Sequence, residues 1–188
     1  VKVRPRIAKA AGALAAALGL MLAVPGSASA STILADTNIL QNGWSGLCLA
    51  VNEGVMTPGN TVVEYGCLGT NYPDQYWGFS QSQSHNGYYY IYNQKDNNYC
   101  LTFQPGQADQ VALTISWCGY QGNNGSTNQL WAEDTYFYGG GYSYPLYQAY
   151  GDGRCMSVPG NNQQDWATLD LYYCGGYPDQ RWYWGGYN

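Results

Sequence analysis

The chain has 188 residues, the length of one domain, and carries 12 acidic against 7 basic residues. Charged residues are only 10% of the chain and aromatic ones 16%, the reverse of the high-charge, aromatic-poor composition of a disordered protein. Lys and Arg cluster nowhere beyond position 9, which excludes a surface for the phosphate backbone of nucleic acids and disfavours an anionic membrane surface.

Residues 1–30 are expected to be a secretory signal peptide. Lys2, Arg4, Arg6 and Lys9 give a basic start, Ala10 to Val24 an apolar run, and Ala28-Ser29-Ala30 a small-x-small cleavage site. The run is too short to span a bilayer, so no membrane insertion is expected. Removing it leaves Lys95, Arg154 and Arg181 against all 12 acids, a net charge of −9. The protein is therefore expected to be secreted and extracellular, and Val1 fits a GTG start codon and a bacterial source. Residues 31–37 form an N-terminal arm outside the repeats that follow. Its apolar Ile33 and Leu34 are the candidate anchors for a protein partner's groove or sheet edge.

From residue 38 onward the sequence repeats three times, over about 38–84, 85–141 and 142–188. Cys48, Cys100 and Cys155 each precede a second cysteine, Cys67, Cys118 and Cys174, by 18 or 19 residues. Each second cysteine is followed by Gln-x-Trp, at Gln75-Tyr76-Trp77, Gln129-Leu130-Trp131 and Gln180-Arg181-Trp182. Apolar residues share this register: Ile39, Ile91 and Leu146 lie nine places before the first cysteine, and Leu49, Leu101 and Met156 one place after it. Val51, Phe103 and Val158 lie three places after it, and Val62, Leu113 and Leu169 five places before the second cysteine. Repetition at a fixed period identifies one structural unit used three times.

Within each repeat, short runs rich in Val, Ile, Tyr and Thr are broken by Gly, Asn and Pro, as in Tyr88 to Tyr92 and Ala112 to Ser116. About four strands per repeat predict an all-β domain of about twelve strands around a pseudo-threefold axis. Phe137 to Tyr144 reads as an aromatic, glycine-rich loop between the second and third repeats, with the composition of a contact surface.

The triple pattern of a first cysteine with apolar residues one and three places on, a second cysteine and Gln-x-Trp resembles the ricin-type β-trefoil lectins, whose repeats look like Cys-Leu-Asp-Val, a second Cys and Gln-x-Trp, over about residues 38–184. The resemblance implies a β-trefoil of three pseudo-repeats. The repeat selects intra-repeat disulfides, Cys48–Cys67, Cys100–Cys118 and Cys155–Cys174, because only these close the same loop three times. No metal and no cofactor is expected: Cys-x-x-Cys spacing is missing and His85, in a polar turn, is the lone histidine. The Gln-x-Trp motifs are expected to serve the core.

In that family, a sugar site uses an Asp two places after the first cysteine, an aromatic two places before the second, and an Asn just before Gln-x-Trp. The first position here holds Ala50, Thr102 and Ser157, none of them an ionised acceptor. The second holds Tyr65, Ser116 and Tyr172, and the third Asp74, Asn128 and Asp179. The carbohydrate-binding candidates are therefore Tyr65, Asp74, Tyr172 and Asp179, with Asn128 in the middle repeat. Repeats one and three also share Tyr-Pro-Asp-Gln-x-Trp.

Catalysis is not expected. Asp74 and Asp179 follow proline, Asp96 lies among Lys and Asn, and Asp152 lies between glycines, contexts that read as solvated loops and would not shift a carboxyl for glycoside hydrolysis. Two readings remain. One is a secreted, non-enzymatic carbohydrate-binding protein with degenerate sites for a neutral glycan. The other is an adaptor, subunit or inhibitor that binds a separately encoded secreted protein through a trefoil that has lost sugar binding.

Overall fold

The structure, a computed structural model, describes residues 39–106, 109–119, 126–138 and 142–185. The expected signal segment and the expected arm with Ile33 and Leu34 lie outside these residues. Twelve strands account for the regular structure. They are β1 (Leu40–Asn42), β2 (Cys48–Val51), β3 (Val62–Tyr65), β4 (Trp77–Gln81), β5 (Tyr89–Asn93) and β6 (Tyr99–Thr102), then β7 (Thr114–Trp117), β8 (Leu130–Tyr138), β9 (Tyr142–Ala149), β10 (Arg154–Ser157), β11 (Asp170–Tyr173) and β12 (Trp182–Trp184). Only short 3-10 turns interrupt them, and among the described residues no helix is long and apolar enough to cross a membrane.

Every pairing is antiparallel, and the same scheme occurs three times. The second and third strands of each repeat form a hairpin, β2–β3, β6–β7 and β10–β11. The fourth strand of each repeat pairs with the first strand of the next, as β4–β5, β8–β9 and, closing the ring, β12–β1. This last pairing joins the two ends of the domain. The three hairpins meet on the axis. There the Val62 amide donates to the Leu113 carbonyl (3.1 Å), Leu113 to Leu169 (2.8 Å) and Leu169 back to Val62 (3.2 Å).

The core lies inside this ring. Leu49, Leu101 and Met156, Val51, Phe103 and Val158, and the axial Val62, Leu113 and Leu169 pack around Trp77, Trp131 and Trp182, all of them buried. One register assignment shifts. Gln41, Tyr92 and Gln148 are the residues paired with the first cysteines, so the equivalent inward residues are Leu40, Ile91 and Tyr147, not Ile39, Ile91 and Leu146. The second repeat has one residue more between this strand and its cysteine, and counting back from the cysteine misplaces the other two. Tyr147 thus brings a hydroxyl into a leucine position, where it is buried without a partner and its pKa is raised by burial. Of the stretch Phe137–Tyr144 expected as a loop, residues 139–141 lie outside the described residues and the flanking ones belong to strands. Phe137 pairs with Ser143 and Tyr138 with Tyr142 at the end of the β8–β9 hairpin.

The Gln-x-Trp motif ties the two cysteine segments of each repeat together. The Gln75 amide donates to the Gly66 carbonyl (2.7 Å) and accepts from the Leu68 amide (2.9 Å), so it clasps both sides of Cys67. Gln129 does the same with Trp117 (2.9 Å) and Gly119 (2.8 Å), and Gln180 with Tyr173 (2.9 Å) and Gly175 (3.0 Å). The indoles of Trp77, Trp131 and Trp182 donate to Leu49, Leu101 and Met156, the residues after the first cysteines. The disulfides Cys48–Cys67, Cys100–Cys118 and Cys155–Cys174 complete each unit.

Replacing one clasp should expose its cost. Gln129→Ala strands the Trp117 carbonyl and the Gly119 amide, and is expected to lower unfolding free energy by about 2–4 kcal/mol in a urea titration. An effect below about 0.5 kcal/mol would contradict the clasp.

Candidate functional site

The polar face of the hairpins carries two clefts, one in the first repeat and one in the third. A turn with left-handed residues precedes each. Glu53 (φ 51°) and Gly54 (φ 64°) bound the first, and Gly160 (φ 67°) and Asn161 (φ 53°) the other. The short Pro-Asp-Gln turn forms the opposite wall in each case and delivers Asp74 or Asp179.

The first cleft, about 330 Å³, brings Tyr65 and Asp74 together with Tyr72, Lys95 and Trp166. Trp166 belongs to the third repeat and was not singled out in the sequence. It crosses to the first because its amide donates to the Glu64 carbonyl (2.8 Å) and the Glu64 amide to the Ala167 carbonyl (2.8 Å). The preceding Asp165 carboxylate accepts from the Gly66 amide (2.8 Å). The indole, half exposed, lies 4.5 Å from the Tyr65 ring between centroids. Its backbone has φ 70°, as do its counterparts three places before the axial residues, Gly59 (φ 86°) and Gln110 (φ 72°). Glycine takes this conformation freely, whereas a bulky side chain is strained in it. Asp74 is half buried, which raises its pKa, while its own backbone N–H and the Lys95 ammonium draw it back down. The Lys95 ammonium donates to the Gly54 carbonyl (2.8 Å).

The third cleft, about 340 Å³, is lined by Tyr172, Tyr177, Asp170, Asp179, Ser157 and Asn161, among others. Tyr172 and Tyr177 lie 6.0 Å apart between ring centroids. Asp179 is buried, and its Oδ2 accepts from the Ser157 hydroxyl and from the Val158 amide (3.1 Å). Ser157, two places after Cys155, thus holds the acid that directly precedes the third Gln-x-Trp. Asp170, opposite Ser157 across the hairpin, is a second residue that sequence reasoning missed. The middle repeat is built differently. Asn128 donates to the Phe103 carbonyl (3.2 Å) and accepts from Ser126, so the protein itself uses both ends of its amide. The cross-strand Ser116 adds no ring to it.

The expectation that burial shifts no acid is wrong. Asp170 is pushed up to about 6, first by burial, then by the charges of Asp179 and Asp109, against a lowering by Arg154. Glu64 is pushed up to about 8 by burial and by Asp179, against the hydrogen bond from the Ser45 hydroxyl (2.8 Å). Glu64 occupies an inward strand position, opposite Leu49, where the other repeats hold Ile115 opposite Leu101 and Leu171 opposite Met156, whereas Asp170 lies in the opposite phase and lines the cleft. His85 sits in the turn after β4 with its Nδ1 2.9 Å from the Ser84 hydroxyl. Among the described residues no group of three His, Cys, Asp or Glu is arranged to hold a metal.

No protein-family model and no curated protein sequence matches the chain. Solved structures do. The designed threefold-symmetric protein ThreeFoil superposes with a TM-score of 0.64 at 22% identity, over 77% of this chain and 94% of that one. The chain is a β-trefoil. The C-terminal half of an earthworm R-type lectin, in complex with GalNAc, has a TM-score of 0.54 at 11% identity, over 78% of this chain and 95% of that one. An exo-β-1,3-galactanase from Clostridium thermocellum has a TM-score of 0.63 at 23% identity, and the match spans 78% of this trefoil but only 30% of the galactanase chain.

The raised acids make stability depend on pH in a stated direction. A carboxyl whose folded pKa exceeds its unfolded one stabilises fully below the unfolded value and loses that contribution as pH rises through the folded value. For Glu64 the window runs from 4.5 to about 8. The melting temperature is therefore expected to fall as pH rises across this window, and Glu64→Gln, which keeps an acceptor for Ser45, to flatten most of the fall and raise the melting temperature at pH 8 by roughly 5–10 °C. A slope unchanged in Glu64→Gln would refute the assignment.

Proposed function

We propose that this β-trefoil is a secreted, lectin-like protein that binds carbohydrate without turning it over, through the clefts of the first and third repeats. The observation that carries the reading is Trp166. A tryptophan held in a left-handed backbone conformation, half exposed, against Tyr65 and above Asp74 serves no packing need that Gly59 does not meet at the same place in the first repeat. Strain retained at a cleft is a sign of function. A pyranose presents an apolar face to rings and hydroxyls to acceptors and donors. Here Tyr65 and Trp166 supply the rings, Asp74 the acceptor and the ammonium of Lys95 its remaining donors. The lectin with GalNAc and the galactanase, which share the architecture, support the reading at the level of ligand class. The first cleft, where Lys95 partly offsets Asp74 and Glu53, repels an acidic sugar less than the third and suits a neutral one.

A glycan array, followed by calorimetric titration with the best neutral ligand, tests this. Trp166→Gly and Tyr65→Ala are each expected to weaken binding about ten- to a hundredfold, the loss of one buried ring face. Trp166→Gly should at the same time leave the protein as stable or stabilise it by up to about 1 kcal/mol, since glycine relieves the left-handed strain. Asn128→Ala should leave binding unchanged and cost about 1 kcal/mol of stability. The ligand should be recovered intact. Binding indifferent to Trp166, or abolished by Asn128→Ala with the fold preserved, would overturn the site.

A further inference from the structure

The two clefts differ in one residue that the fold does not ask for. At the position after the axial residue in the third strand of each repeat, on the face turned away from the core and paired across the hairpin with the residue two places after the first cysteine, the first repeat has Val63 opposite Ala50. The second has Thr114 opposite Thr102, and the third has Asp170 opposite Ser157. The same backbone accepts valine there, so an acid is not a packing requirement. It is also costly: Asp170 is 2% exposed, and its Oδ1 has no hydrogen-bond partner.

Asp179 shares the cleft, and both of its side-chain hydrogen bonds fall on Oδ2. The cleft therefore has two carboxylates in its lining and no lysine or arginine. The cation that acts on Asp170 is Arg154, and it is committed elsewhere. Its guanidinium holds Asp152 through two nitrogens and meets Asp109 at 3.3 Å. The remaining walls are Tyr172 and Tyr177, rings whose faces attract a cation. In the first cleft the lining holds Lys95 together with Asp74 and Glu53, so a cationic ligand there meets an ammonium already in place, which the third cleft lacks.

We propose that the cleft of the third repeat is selective for a sugar bearing a free, protonated amino group, which sits between Asp170, Asp179 and the two tyrosine rings. This rests on the carbohydrate reading and divides it: the first cleft takes neutral sugar, the third an amino sugar. An ammonium is the group that supplies both the missing donor and the missing positive charge, while an N-acetylated or neutral sugar supplies no charge and leaves two buried carboxylates facing each other.

The test follows ring resonances of the whole protein by NMR at pH 7, with Tyr172 and Tyr177 reporting on the third cleft and Trp166 on the first. It is titrated with galactosamine hydrochloride, N-acetylgalactosamine, galactose and lysine amide. Galactosamine is expected to move the tyrosine pair with an affinity at least tenfold above that of galactose or N-acetylgalactosamine. That preference should shrink to twofold or less in Asp170→Val, which copies Val63, and in Asp170→Asn, which keeps the shape. Both variants should retain the Trp166 response to neutral sugar, which shows that they fold. Neutral sugars moving Trp166 while galactosamine shows no preference at the tyrosines would overturn this inference and leave the lectin reading standing. A preference that survives in both variants would overturn the role of Asp170. Lysine amide binding as tightly as galactosamine would overturn the sugar assignment, and no response of either cleft to any sugar would overturn both readings.

Discussion

Three backbone hydrogen bonds on the axis, Val62 to Leu113, Leu113 to Leu169 and Leu169 to Val62, hold the molecule's parts in register. They form a closed cycle, so none can lengthen without turning the hairpins against one another. Their donors and acceptors are buried among leucine and valine, where an unpaired amide or carbonyl is expensive. The cycle forces each repeat to present an extended residue of similar bulk at the same height, which accounts for the axial apolar position in all three. Below it, the tryptophans fill the space left between repeats, and the glutamine clasps fix the segments around the second cysteines.

This division of labour frees the outer face. The clasp uses the carbonyl before and the amide after the second cysteine, and so makes no demand on the side chain two places before it. Tyr65, Ser116 and Tyr172 can differ there with no loss of the frame. The same holds for the residue before each Gln-x-Trp. Asp74 is left free to face a cleft, Asn128 is spent on the backbone, and Asp179 is half committed to Ser157 and Val158. One scaffold thus gives three local chemistries.

The frame was legible in the sequence because it is a matter of spacing: cysteines, Gln-x-Trp and axial residues recur at fixed intervals, and spacing survives where side-chain identity does not. The clefts were legible only where they use residues of their own repeat, as with Tyr65 and Asp74, or Tyr172 and Asp179. Trp166 was not, because it serves a neighbouring repeat through pairing with β3, and nothing local announces that crossing. Its signal lay in comparison with Gly59, a turn glycine whose counterpart is the largest side chain of all. Glu64 and Asp170 were missed for a different reason. Which side a strand residue faces depends on phase: Glu64 falls on the core face with Val62, whereas Asp170, between Leu169 and Leu171, falls on the opposite, cleft face and is buried there. The same sensitivity displaced Ile39 and Leu146 by one place from the true inward residues, Leu40 and Tyr147.

The pairing of β1 with β12 and the reach of Trp166 into the first repeat have a consequence for how the protein is made. A nascent chain that has emerged only as far as its second repeat has neither a closed wall nor a finished first cleft, since one side of that cleft is still unsynthesised. A complete first cleft is consequently a property of the finished chain alone. A prematurely ended polypeptide would expose the unpaired edge of β1 and lack one wall of that cleft.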